Sequence, residues 1–144
     1  MTSTQHNTPD FSARLPQYLA IPYLSCGRTV AGADCWGLAR IVYQAELGIE
    51  LPMLSYGDSN DRAQTTVATL AEREAWQQVE SPQPCDIVIL RVVGTPCHCG
   101  IMVTERIFLH SLDGMGPSLD STEGIRWSRR IEGFYRWAAA AAAA

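Results

Sequence analysis

Leu38, Ile41, Val42 and Ala45 recur at the i, i+3, i+4, i+7 spacing of one buried helix face. They predict a helix from about Cys35 to Leu47, with Asp34 as its N-cap and Gly48 as its C-terminal stop. Upstream, residues 10–19 read as a short helix or an extended segment, and Ile21 to Gly32 as a loop. Pro52 and Gly57 break the chain, and Asp58-Ser59-Asn60-Asp61 offers caps for a second helix running to about Gln78. Its apolar positions are Val67, Leu70, Ala71 and Trp76, and Ser81-Pro82-Gln83-Pro84 ends it. The period then changes. Asp86–Val93, His98–Thr104 and Ile107–Leu112 are β-branched or alternating and read as strands, divided by Gly94-Thr95-Pro96 and Glu105-Arg106. Asp113 to Pro117 reads as a loop, and Gly124–Trp127 and Arg130–Trp137 as further strands. Helices first and an antiparallel meander after them make an α+β layout.

A chain of 144 residues, 47% hydrophobic and 18% charged, is one ordinary globular domain able to bury a core. The assignment is a single domain over 1–137 with an N-terminal extension at 1–20. Ala138 to Ala144 is a low-complexity tail given no function. A net charge of −4 argues against nucleic acid as partner, and the small cluster Arg126, Arg129 and Arg130 does not overturn that. No apolar run reaches membrane-span length and no signal peptide is visible, so membrane insertion is not expected. Action outside a cytoplasm would require delivery by other means.

Cys35 stands where the helical pattern begins, and that placement carries chemistry. The unpaired N–H groups of a first helical turn and the positive end of the dipole favour thiolate over thiol. A thiolate still needs a base, and the histidines are His6, in a polar opening segment, His98 and His110. On adjacent strands, His110 is placed to reach the far ring nitrogen of His98. His98 then takes the thiol proton, while His110 fixes which nitrogen faces Cys35. The plain alternatives are a Cys35 that is an inert small hydrophobe and a His110 that is merely a hydrogen-bonded strand residue. Cys26, Cys85, Cys97 and Cys99 read as inert thiols, because a domain of this size needs no disulfides. Cys97-His98-Cys99 tempts toward a metal, yet on a strand His98 points away from both thiols, and the spacing is not that of zinc. No metal and no organic cofactor are expected.

Two signatures bring in a resemblance. Pro22-Tyr23-Leu24-Ser25-Cys26-Gly27, followed by Gly32-Ala33-Asp34-Cys35-Trp36-Gly37-Leu38, resembles the opening of NlpC-type, papain-like cell-wall cysteine peptidases. Asp86-Ile87-Val88, then His98-Cys99-Gly100-Ile101, resembles their second and third landmarks, and Phe108-Leu109-His110-Ser111 the strand bearing the third polar residue. The resemblance covers about Ile21 to Trp137. It implies a papain-like fold, with N-terminal helices packed on an antiparallel sheet. It implies Cys35 as nucleophile, His98 as base and acid, and His110 as orienting group, with Tyr23 and the Cys35 N–H at the oxyanion. Asp34 reads as structural. The chain departs from the pattern at Cys26, Cys85 and Cys99, where the family has glycine, glycine and valine. At Cys26 a glycine would supply positive φ, so the substitution is expected to disturb the loop.

The Cys35-Trp36-Gly37-Leu38 variant, Leu47–Pro52 and Arg129–Arg136 resemble peptidase domains of phage and prophage tail-assembly proteins. That resemblance implies a virion-tail location, tail proteins as partners, and peptidoglycan stem peptides as substrate, cut at a D-Glu–diamino acid bond. The alternative is a structural tail component that keeps the fold with little or no activity.

Overall fold

A computed structural model of the chain describes residues 11–52, 75–92 and 95–137. A 3-10 turn at Ser12–Arg14 leads into the short helix α1, Leu15–Leu19, which starts on Pro16 in its first turn. A small hairpin follows, with β1 at Arg28–Thr29 paired to β2 at Gly32–Ala33. Then comes α2, Cys35–Leu47, with the predicted bounds. Asp34 is its N-cap, accepting the Gly37 N–H at 2.8 Å, and Gly48 closes it at φ 66°.

The buried face of α2 is turned from the one the spacing predicts. Leu38 and Val42 are buried, but Trp36, Ala39 and Tyr43 complete the stripe, while Ile41 is half-buried and Ala45 exposed. The stripe holding both aromatics removes more apolar surface from water, and that decides the rotation.

The remaining elements form one sheet: β3 Trp76–Val79, β4 Ile87–Val92, β5 Thr95–Met102, β6 Ile107–Leu112, β7 Gly116–Ser121 and β8 Ile131–Trp137. Their order is β3-β8-β4-β5-β6-β7, with every neighbouring pair antiparallel. Ile87, Ile89, Cys99, Ile101 and Leu109 face the layer that holds α2. Val88, Leu90, Met102 and Phe108 face the other side, where Trp127 folds over them. Ile87 to Leu90 are buried on both faces, which is why β4 reads as an unbroken apolar run rather than an alternation. A partly buried ion pair ties β8 to the start of β4, as Arg136 donates to both Asp86 oxygens at 2.8 Å.

Five further expectations need correction. Thr95 and Pro96, read as part of a turn, open β5, and the segment from Ile21 to Gly32, read as a loop, contains β1 and the start of β2. Trp76 to Gln78 belong to β3, not to the end of a helix, because Trp76 packs edge-on against Trp137 across the β3–β8 pair. The rest of the expected second helix lies outside the described residues. Gly124–Trp127 is a turn closed by Trp127 and Ser128 N–H bonds to the Gly124 carbonyl. Gly116 and Pro117, read as loop, open β7 instead. Proline is tolerated there because β7 is an edge strand paired only to β6.

Close backbone contact locks the first turn of α2 onto the preceding loop. A methyl group at Gly37 would lie 2.0 Å from the Gly27 carbonyl oxygen, and one at Gly27 would lie 2.4 Å from that of Gly32. Gly37→Ala should therefore destabilise the fold by about 1–3 kcal/mol or more, as overpacking against backbone cannot relax. Chemical denaturation compares it with Ala39→Gly, which should cost only about 1 kcal/mol of helix propensity plus lost burial.

Candidate active site

Asp34 builds the site from the loop side. Its Oδ1 accepts the Gly37 N–H at 2.8 Å and the Arg28 guanidinium at 2.8 Å, and its Oδ2 accepts the Cys26 N–H at 3.1 Å. This is the structural role expected of it. The carboxylate also holds Cys26 at φ 61°, and Cys85 likewise sits at φ 76°. Both cysteines adopt the left-handed backbone that glycine adopts without cost, so the expected disturbance of the loop does not occur and a local strain of about 1–2 kcal/mol is carried instead.

Cys35 is the first residue of α2, and Cys99 and His98 are its polar neighbours. Its thiol is held well below the ordinary value, by Cys99 first, then by His98 and the charge of its ring. Burial and the Asp34 carboxylate oppose the shift and lose. Cys99 is pushed up by the same neighbour, so of the two thiols Cys35 is the one biased toward its charged form. Cys99 was expected to be inert, and it is instead a neighbour that shifts the ionisation of the candidate nucleophile.

His98 owes its position to a bulge. Leu90 pairs with His98 but Arg91 pairs with Pro96, which leaves Cys97 as the extra residue of β5. His98 and Cys99 point to opposite layers, as the strand period requires: Cys99 lies in the core facing α2, and the His98 ring stacks on Trp127 with 6.1 Å between centroids. The His98 Nε2 is 2.8 Å from His110 Nδ1, which leaves His98 Nδ1 for the thiol. Gly100 makes room for this meeting. A methyl there would lie 2.8 Å from the Phe108 ring and 3.3 Å from His110 Cβ.

His110 is buried, and its Nε2 is 2.7 Å from Asp120 Oδ2 on β7. Burial, then the His98 charge, push its pKa down to about 4; Asp120 opposes this and Arg126 assists. The Trp127 ring stands edge-on to it at 5.3 Å. Tyr23 bridges to Ala33 beside the helix start. Its hydroxyl is pushed up to about 12, by burial first and then by the charges of Cys35, Asp34, Asp113 and Cys26. It stays protonated at neutral pH, and it stands close enough to Cys35 to feel its charge. All the expected site residues thus lie together. Asp120, Cys99 and Trp127 were missed. The β6–β7 register places Ser118 opposite His110, so Asp120, two residues on, shares its face; recognising β7 would have revealed it.

The NlpC/P60 family model matches residues 20–136. This chain belongs to the NlpC/P60 family. Among curated relatives, the murein DD-endopeptidase MepS/murein LD-carboxypeptidase of Escherichia coli K12 is 24% identical over 110 residues, covering 76% of this chain and 52% of that protein. The chain thus spans about half the length of the curated relatives it matches. Among solved structures, an NLP/P60 family protein similar to lipoprotein from Staphylococcus aureus aligns over 95% of this chain and 42% of its own, with TM-score 0.61 and 22% identity. The NlpC/P60 domain of the peptidoglycan hydrolase SagA aligns over 85% of this chain and 92% of its own, with TM-score 0.57 and 18% identity. An NlpC/P60 protein from Bacillus cereus gives TM-score 0.62 at 18% identity over 90% and 41% of the two chains. The α+β architecture, with helices against a six-stranded antiparallel sheet, is that of these NlpC/P60 neighbours.

Acid should expose the burial of His110. Folded, it takes a proton near pH 4, whereas an unfolded imidazole takes one near 6.5. Between these values the unfolded chain binds more protons, so stability is full above about 6.5 and falls as pH drops toward 4, by about 3 kcal/mol for this one group. In His110→Gln the loss of stability between pH 7 and 4.5, read by urea unfolding, should shrink by about 2–3 kcal/mol.

Proposed function

We propose that this NlpC/P60 domain is a cysteine endopeptidase that hydrolyses peptide bonds in peptidoglycan stem peptides, of the D-Glu–diamino acid type. The observation that carries this reading is the Cys35 thiol, on the first residue of α2, held well below the ordinary thiol value beside a histidine whose Nε2 lies 2.8 Å from His110 Nδ1. Cys35 is the nucleophile, His98 the base and later the acid, and His110 the group that orients His98. The His98 Nδ1 takes the thiol proton, and the sulfur attacks the scissile carbonyl carbon. The negative charge moves to the carbonyl oxygen, where the Cys35 N–H and the protonated Tyr23 hydroxyl stabilise it. The C–N bond then breaks as His98 returns the proton to the departing amine, leaving a thioester. His98 next takes a proton from water, whose oxygen displaces the sulfur and frees the acid.

The substrate class is supported by what the relatives are: a murein DD-endopeptidase similar in sequence, and a peptidoglycan hydrolase whose NlpC/P60 domain shares the fold. Three segments, Cys35–Leu38, Leu47–Pro52 and Arg129–Arg136, support a further assignment to a phage or prophage tail, with tail proteins as partners. Retention of the positive φ at Cys26 and Cys85 favours an active enzyme over a scaffold, since the substitutions leave the loop backbone in the glycine conformation.

Defined stem peptides with mass-spectrometric readout test the reading. The wild-type protein should release a new amine and carboxylate at one bond. Cys35→Ala and His98→Ala should each lower turnover by about 10³-fold or more, and Tyr23→Phe by about tenfold in kcat. Turnover undiminished in Cys35→Ala, or no cleavage of any wall peptide by the wild type, would sink the peptidase reading. The tail assignment is tested separately, by whether the protein sediments with intact virions.

A further inference from the structure

The hydrogen bonds around His98 continue past the pair used above and end on a carboxylate. His110 lies between two partners, His98 Nε2 at 2.8 Å from its Nδ1 and Asp120 Oδ2 at 2.7 Å from its Nε2. A carboxylate only accepts, so the His110 Nε2 must carry a hydrogen. His110 is neutral at working pH, because burial and the nearby His98 charge push its pKa down to about 4. Its Nδ1 is therefore a bare lone pair, and a bare lone pair accepts. The His98 Nε2 must then carry the hydrogen between the rings, which leaves the lone pair of neutral His98 on Nδ1, the nitrogen left for Cys35. Reversing the chain would be ruinous for a base. With Nδ1–H on His110 and a bare Nε2 on His98, the hydrogen of His98 would sit on Nδ1 and point at the sulfur, with no site for its proton.

We propose that Asp120 is a positioning residue: by accepting the His110 Nε2–H it sets the tautomer of His110 and, through the inter-ring hydrogen bond, the tautomer that lets His98 accept a proton from Cys35. The same chain also serves the ion pair, because imidazolium at His98 donates from both nitrogens without any other bond reversing. Among the described residues, Arg126 and the rings of Phe108 and Trp127 also face His110, and Trp127 and Cys35 face His98. The Asp120 side chain is 25% exposed on an edge strand, so it can be shortened without opening the core. This inference rests on the peptidase reading for its consequence in catalysis, but its physical content is a pattern of protons that can be measured without substrate.

The test is ring 15N NMR on the full chain carrying Cys35→Ser, recorded at a pH where the spectrum shows both rings neutral, with and without Asp120→Ala. With Asp120 present, both His98 and His110 should show the Nε2–H tautomer. This first readout needs no change at position 120, and Nδ1–H on His110 there would overturn the proposal. Asp120→Ala should bring Nδ1–H into both rings, while Asp120→Asn, which still offers a carbonyl, should keep Nε2–H. In the otherwise native protein, Asp120→Ala should lower kcat by about tenfold or more with KM within about twofold, and Asp120→Asn should restore kcat to within about threefold. Unchanged tautomers in Asp120→Ala would overturn the inference even if activity falls. A wild-type protein that cleaves nothing would overturn the peptidase reading while leaving the tautomer result to stand or fall by itself.

Discussion

Asp34 fixes where the sulfur of Cys35 can be. One carboxylate satisfies the Gly37 N–H in the first turn of α2, the Cys26 N–H in the loop before it, and the Arg28 guanidinium from the hairpin. An N-cap of this kind contributes about 1 kcal/mol to helix stability. Its larger consequence is geometric: loop, hairpin and helix start become one rigid corner, closed by the glycine contacts at Gly27 and Gly37. Cys35 is held on that corner, partly exposed to solvent and beside Cys99 and His98 of β5.

The corner also sets an electrostatic conflict. A carboxylate one residue from a thiol raises the thiol's pKa, and burial raises it further. Both would keep Cys35 protonated and inert. The Cys99 S–H and the His98 ring act in the other direction and prevail. His110 experiences a similar conflict with the opposite outcome: burial beside Trp127 and the His98 charge keep it neutral against the pull of Asp120. The site thus pairs a sulfur biased toward its charged form with a remote imidazole biased toward its neutral form, and His98 mediates between them.

Much of this was legible in the chain because local rules and tertiary structure agree there. The capping aspartate, the helical spacing and the terminal glycine mark α2 to the residue. His98 and His110 fall in strands dense with β-branched and apolar neighbours, so their adjacency follows from a meander. Elsewhere the local signal was weak or overridden. The strand β7 opens on Gly116 and Pro117 and carries Ser118, Asp120 and Ser121, so nothing in its composition announces it, and Asp120 went unread with it. Trp76 looked helical by spacing, but a tryptophan pair across β3 and β8 sets its fate. The influence of Cys99 on Cys35 depends on a helix end meeting a particular strand position, which no pattern of residue types encodes.

The ionisation of Cys35 is the claim on which the account turns, and the pH dependence of its alkylation measures it directly. Iodoacetamide labelling of the native protein, mapped to Cys35 by mass spectrometry, should rise with a midpoint well below the ordinary thiol value of about 8.5. In His98→Ala the midpoint should move upward. A midpoint at or above about 8.5 in the native protein, or one that ignores the loss of His98, would contradict the account.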